Sequence, residues 1–193
     1  MQFEDGKGSG YKARVDSTNR LHTRSISEPE EVHVSALGDT YNINTGSISF
    51  SAAGTMLYIK NNEDVVLVVK TIVVGLGAGT LSDSAVITIS KNPTGGDLIS
   101  DATAVSMNQN RNIGSSKTLS ATVYKGKSAG TLTGQTDIGI IYATASSRAA
   151  VELNISIQKG GVFCVELDPN LSSGSINAYC AAICYLKDPN SLD

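Results

Sequence analysis

Two histidines and three cysteines are the side chains of this 193-residue chain best suited to metal or nucleophilic chemistry. His22 and His33 fall early, whereas Cys164, Cys180 and Cys184 fall in the most apolar runs near the C-terminus. A metal centre needs carboxylates or thiolates gathered around the imidazoles, and no local spacing brings these types together. A Cys–His nucleophile pair meets the same obstacle. Cys180 and Cys184 share strand parity and would lie roughly 13 Å apart on an extended chain, too far for a disulfide. Cys164 could reach one of them only across strands. The expectation is three buried free thiols acting as small apolar side chains in a reducing cytoplasm.

Phosphate chemistry has one candidate, Gly75-Leu76-Gly77-Ala78-Gly79-Thr80. Thr80 occupies the third glycine position of a dinucleotide loop, and no helical pattern follows to supply the N-terminus that binds pyrophosphate. A turn between strands is the better reading. Asp97, Asp101 and Asp168 lie in loops without the spacing of a calcium-binding hand, so they read as turn formers. No G-x-S-x-G elbow is present. The residues therefore point away from an enzyme, with no catalytic residue, cofactor or metal expected.

Composition narrows the partners. Hydrophobic residues make up 40%, enough for a core, while charged residues are only 17% and the net charge is −3. Neither nucleic acid nor an anionic membrane surface is expected, since both require a clustered basic face. Aromatics are 5% with no Trp, which weakens a glycan or single-strand platform, although seven Tyr could contribute one. The N-terminus has no apolar stretch of the secretory kind, and Val65 to Leu76 is broken by Lys70 and too short to span a bilayer as a helix. Synthesis in a cytoplasm is the expectation.

The elements are short β-type runs. Candidates are Glu31–Leu37, Ser47–Ser51, Thr55–Lys60, Val65–Val74, Ala85–Ser90, Thr118–Tyr124, Ile138–Ala143, Val151–Ile157, Val162–Leu167 and Ile176–Leu186. Val151 to Gln158 alternates cleanly and predicts a half-buried antiparallel strand. Asn61-Asn62-Glu63-Asp64, Asn92-Pro93-Thr94-Gly95-Gly96 and Lys159-Gly160-Gly161 mark turns. Ser100–Asn112 reads as a long loop with at most one helical turn. The sum is an all-β antiparallel sandwich, jelly-roll-like before immunoglobulin-like, with an extended arm over residues 1–32 and a sandwich domain over 33–193.

The arm carries both charge signs with spaced apolar residues. Tyr11, Arg14, Val15, Arg20, Leu21 and Arg24 are its candidate partner-binding residues, against the simpler reading of a solvated linker. Ile176–Leu186 is apolar on both parities. One parity holds Ala178, Cys180, Ala182 and Cys184, and the other holds Tyr179, Ala181, Ile183 and Tyr185. The second face makes Tyr179, Ile183 and Tyr185 candidates for an oligomer interface. A central strand buried on both faces accounts for the pattern nearly as well.

DGKGSGYKARVDSTNRLHTRS (Asp5–Ser25), KNPTGG (Lys91–Gly96), MNQNRNIGSSKTL (Met107–Leu119) and DPNLSSGSINAYCAAICYLKDPN (Asp168–Asn190) together resemble virion structural proteins of tailed bacteriophages. The likeness is greatest to capsid decoration (cement) proteins. It covers under half of the chain and includes no catalytic motif. It implies a β-rich homotrimer on the capsid surface whose partners are the major capsid protein and itself. The alternative it leaves is a tail or vertex adaptor, or a fibre-type receptor-binding sandwich with tyrosines gathered at one end.

Overall fold

Branched apolar runs punctuated by Gly, Asn and Asp fold into an almost wholly β architecture. The computed structural model describes residues 30–101, 103–104 and 108–187. In chain order the elements are α1 (Glu30–Ala36), β1 (Thr40–Asn44), β2 (Ile48–Phe50), β3 (Gly54–Asn61), β4 (Leu67–Leu76), β5 (Thr80–Leu81) and β6 (Ala85–Lys91). They continue with β7 (Gly95–Gly96), α2 (Asp97–Asp101), β8 (Thr103–Ala104), β9 (Asn108–Asn110), β10 (Ala121–Lys125) and β11 (Leu132–Thr133). The last five are β12 (Thr136–Ala143), β13 (Arg148–Ile157), β14 (Val162–Asp168), β15 (Leu171–Ser173) and β16 (Ile176–Leu186).

Two six-stranded antiparallel sheets form the sandwich. One runs β13-β4-β16-β1-β9, with β2 beside β16, and the other runs β12-β6-β14-β3-β10-β8. Among the long strands the first pairs with the last (β1 with β16), then β3 with β14, β4 with β13 and β6 with β12. This nested pairing is one long antiparallel hairpin rolled into two sheets, which is the jelly roll.

The core lies between the sheets. Ile43, Leu67, Val69, Ile72, Val74, Cys180 and Cys184 face Leu57, Ile59, Ile87, Phe163, Val165 and Leu167, all almost without exposure. In β4 the inward parity changes at Lys70–Thr71. There β4 carries an extra residue, Lys70, with Ile183 opposite Thr71 and Cys184 opposite Val69. This bulge lets the apolar segments on either side of Lys70 keep Leu67 and Val69, then Ile72 and Val74, on the same face. At the adjoining corner the buried Asn61 donates from Nδ2 to the carbonyls of Val65 and Ile157, both at 2.9 Å, and accepts from the Glu63 amide. One amide side chain thus ties the β3–β4 turn to the end of β13.

Three expectations change. Residues 31–36 of the strand expected over Glu31–Leu37 are helical instead. Gly38, at φ +82°, ends the helix with a Schellman pair, Asp39 N–H to Val34 O at 2.8 Å and Gly38 N–H to Ser35 O at 3.0 Å. That cap outweighs the Val32–Val34 alternation, and α1 runs across the anticipated arm–body boundary at residue 32. The strand foreseen at Thr118 begins at Ala121, although Leu119 is buried. The Ser100–Asn112 loop overlaps the end of α2 and contributes β8 and β9, which extend the two sheets at their edges.

Candidate interaction face

The outward face of the first sheet is built on its central strand. With Ile176, Ala178, Cys180, Ala182 and Cys184 buried inward, β16 turns Tyr179, Ala181, Ile183 and Tyr185 outward as a half-buried row. Register fixes their neighbours. On β4 they lie beside Gly75, Val73, Thr71 and Val68, and on β1 Ala181, Ile183 and Tyr185 lie beside Asn44, Asn42 and Thr40. The result is an aromatic and aliphatic strip with polar side chains from β1 along one margin. α1 packs against β1 and β16 and buries Val34 apart from the inter-sheet core. The candidates Tyr179, Ile183 and Tyr185 therefore share one surface, and the other face of the same strand joins the core.

Gly75, the first glycine of the phosphate-loop candidate, has a different role. A Cβ there would lie 2.1 Å from Cε1 of the Tyr179 ring. Absence of a side chain lets the ring lie flat across β4. The turn after it is held by Gly77 N–H to Asn177 O and Ser146 N–H to Gly77 O, so its amides serve the fold.

The opposite outward face is covered by the chain itself. Tyr58, Cys164 and Leu132 form a separate buried cluster with Tyr124 and Val162 against it, and the Tyr58 and Tyr124 rings lie 5.6 Å apart. Leu132 arrives on the segment 126–135, which crosses β3 closely enough that a Cβ on Gly126 would fall 1.4 Å from the Thr55 carbonyl oxygen. Glu166 accepts from the Leu132 amide at 3.2 Å and from Gln135 Nε2 at 3.0 Å. Burial, with Asp137 adding to it, holds the Glu166 carboxyl above the ordinary glutamate range despite these donors. Burial also raises Tyr58, and it carries Cys164 far above the ordinary thiol range.

The other sequence candidates separate. Tyr11, Arg14, Val15, Arg20, Leu21, Arg24 and His22 lie outside the described residues. His33 is exposed on α1. All three cysteines are free and buried; Cys180 and Cys184 face the core, where burial pushes both up to about 12, beyond reach as nucleophiles at neutral pH. Asp168 accepts from the Asn170 amide, as a turn former does. Among the described residues no three His, Cys, Asp or Glu side chains converge to hold a metal. A shallow cleft of about 220 Å³ where β6 meets β13 has Lys91 as its single charged lining residue. The described tyrosines are spread over both outward faces, the core and β12, not gathered at one end. Sequence reasoning missed the exposed stripe Ile138, Ile140 and Tyr142 on β12; its signal was apolar residues on both parities of one short strand.

Neither a family model nor a curated protein sequence matches this chain. Among solved structures, a chain from the structure of infectious bursal disease virus, Gx strain, has a weak likeness, with a TM-score of 0.23 and 9% identity. The match covers 79% of this chain and 43% of that one, so this chain spans less than half of its length. The likeness to a viral protein is that coarse.

Proposed function

We propose that the protein is a non-enzymatic structural component of a virus particle, which decorates a capsid and stabilises it through contacts with itself and with the major capsid protein. The observation that carries this reading is the outward row Tyr179, Ala181, Ile183 and Tyr185. It is a continuous, half-buried row on the central strand of the first sheet, beside Val73 and Val68 of β4 and bordered by Asn42 and Asn44. Flat aromatic and aliphatic surfaces with polar margins suit another protein, whereas small ligands are held in concave pockets. The jelly roll is a fold of viral capsid domains and of lectins alike, so the surface and not the fold bears the weight.

In this reading three copies meet along the β16 face, and the residue 1–32 arm, with Tyr11, Arg14, Val15, Arg20, Leu21 and Arg24, crosses onto a neighbouring subunit. The resemblance to tailed-phage virion proteins supports the same role and the same place, on the capsid surface. The deciding measurement is the copy number of this chain in purified particles, by quantitative mass spectrometry against the major capsid protein. A number that scales with the capsid lattice is expected. A count matching a single vertex or tail would move the protein to an adaptor or receptor-binding role, and absence from particles would overturn the reading.

A further inference from the structure

The sandwich has one side on which both sheets end in a long strand. β13 closes the first sheet and β12 the second, and residues 144–147 join them. Among the described residues neither has a strand on its outer flank. β13 is guarded: it turns Arg148, Ala150, Glu152, Asn154 and Ser156 to solvent and is interrupted by a bulge with Asn154 at φ +51°. Charges and bulges of this kind keep sheet edges from recruiting other strands.

β12 has less of that protection: its bulge, at Ile138, lies near the start of the strand and leaves Gly139 to Ala143 in regular pairing with β6. Ile138, Ile140 and Tyr142 stand on one face at 42%, 56% and 69% exposure, three of the seven large apolar side chains exposed among the described residues. No Lys, Arg or Pro interrupts the strand, and Asp137 is its single charge. On β6, Ile140 and Tyr142 have Thr88 and Val86 beside them, and among the described residues no strand lies on their other side.

We propose that β12 is a self-association edge, where β12 of a second copy pairs antiparallel about a twofold axis through Ile140. The stripe selects this register. With the axis at Ile140, that residue faces its own counterpart in the regular stretch Gly139 to Ala143, and Ile138, at the bulge, comes level with Tyr142 of the other copy, so every exposed apolar side chain meets another. Asp137 then faces Ala143, and no like charges are opposed. Moving the axis to Gly139 sets Tyr142 against Thr136, and moving it to Ile141 sets Ile138 against Thr144. An interface in which one patch meets itself is isologous and closes at two copies. It would continue the second sheet from six strands into a twelve-stranded sheet running through both molecules, and it leaves the β16 face, on the opposite sheet, untouched.

The test uses the full chain with Ile140→Cys, an exposed position whose change should spare the fold, as far-UV circular dichroism can check. A cysteine on the axis bridges only to its own counterpart, at a cross-strand Cα distance of about 4.5–5.5 Å that a disulfide accepts, and the native thiols are buried. Mild oxidation should convert most of the variant to a covalent dimer. Ile138→Cys should cross-link poorly alone and well when mixed with Tyr142→Cys. Ile140→Lys should lower the mass seen by light scattering at least twofold. Failure of the Ile140→Cys dimer, equal cross-linking by Ile138→Cys alone, or an unchanged mass for Ile140→Lys would each overturn the proposal. So would preferential bridging of Ile140→Cys to a cysteine at Val15, which would seat the arm on this edge. None of these outcomes bears on particle copy number, so this inference and the particle role stand or fall separately.

Discussion

The two outward faces of the sandwich are made from the same kind of strand and treated in opposite ways. On the second sheet Tyr58 and Cys164 point away from the core, and the chain returns over them with Leu132. On the first, Tyr179, Ile183 and Tyr185 point away from the core and remain half-open along the central strand. Among the described residues, the chain covers one apolar outer face and leaves the other half-buried. The difference teaches that exposure at β16 is not a by-product of a small core, because the same molecule covers the equivalent surface opposite.

The largest test of this contrast is at the covered face. Gly126→Ala drives a Cβ into the Thr55 carbonyl, where backbone and not a flexible side chain must yield. It should cost about 3 kcal/mol or more, seen as an earlier midpoint in denaturant unfolding. Leu132→Ala should follow at about 2–3 kcal/mol, and it should open Cys164 to alkylation that the native protein resists. If Leu132→Ala costs almost nothing, the covered face is a loose flap and the contrast fails.

Changes on the open face should be smaller in stability and larger in association. Gly75→Ala displaces the Tyr179 ring and should cost about 1 kcal/mol, with the tyrosine more exposed by fluorescence quenching. Ile183→Ser should change unfolding by less than about 1 kcal/mol yet weaken self-association and capsid binding in sedimentation. The smallest expected effect concerns pH. The folded state holds the Glu166 proton where the unfolded chain has lost it. Its contribution is therefore full below the unfolded carboxyl range and declines as pH rises through the raised folded value. Glu166→Gln should flatten that decline in chemical denaturation measured across the acid-to-neutral range.

Much of the fold was legible because strand signals are local. Val151, Leu153, Ile155 and Ile157 alternate with polar residues and do form a half-buried strand, even across the Asn154 bulge. The dual character of Ile176–Leu186 was also readable, since apolar residues on both parities of an eleven-residue strand leave two faces to fill. Helix α1 was not, because its decisive feature is the cap at Gly38, while Val32 and Val34 imitate a strand. The exposed stripe on β12 was hidden for a related reason. Ile138 to Tyr142 reads like any buried strand, and only sheet order reveals that it lies at an edge. The covering of Tyr58 by Leu132 joins residues 74 positions apart and leaves no periodic trace.

The pairing of β1 with β16 has a mechanical consequence. Thr40, where β1 begins, lies opposite Tyr185, one residue before β16 ends. The chain preceding β1 and the chain following β16 therefore leave the sandwich at the same end of one strand pair. A load applied between those two ends acts across the strands, along the direction of their hydrogen bonds. It would peel the pair apart like a zipper, one bond after another, instead of shearing all the bonds together. The body is thus weakest when pulled by both ends at once and better suited to loads carried through its faces.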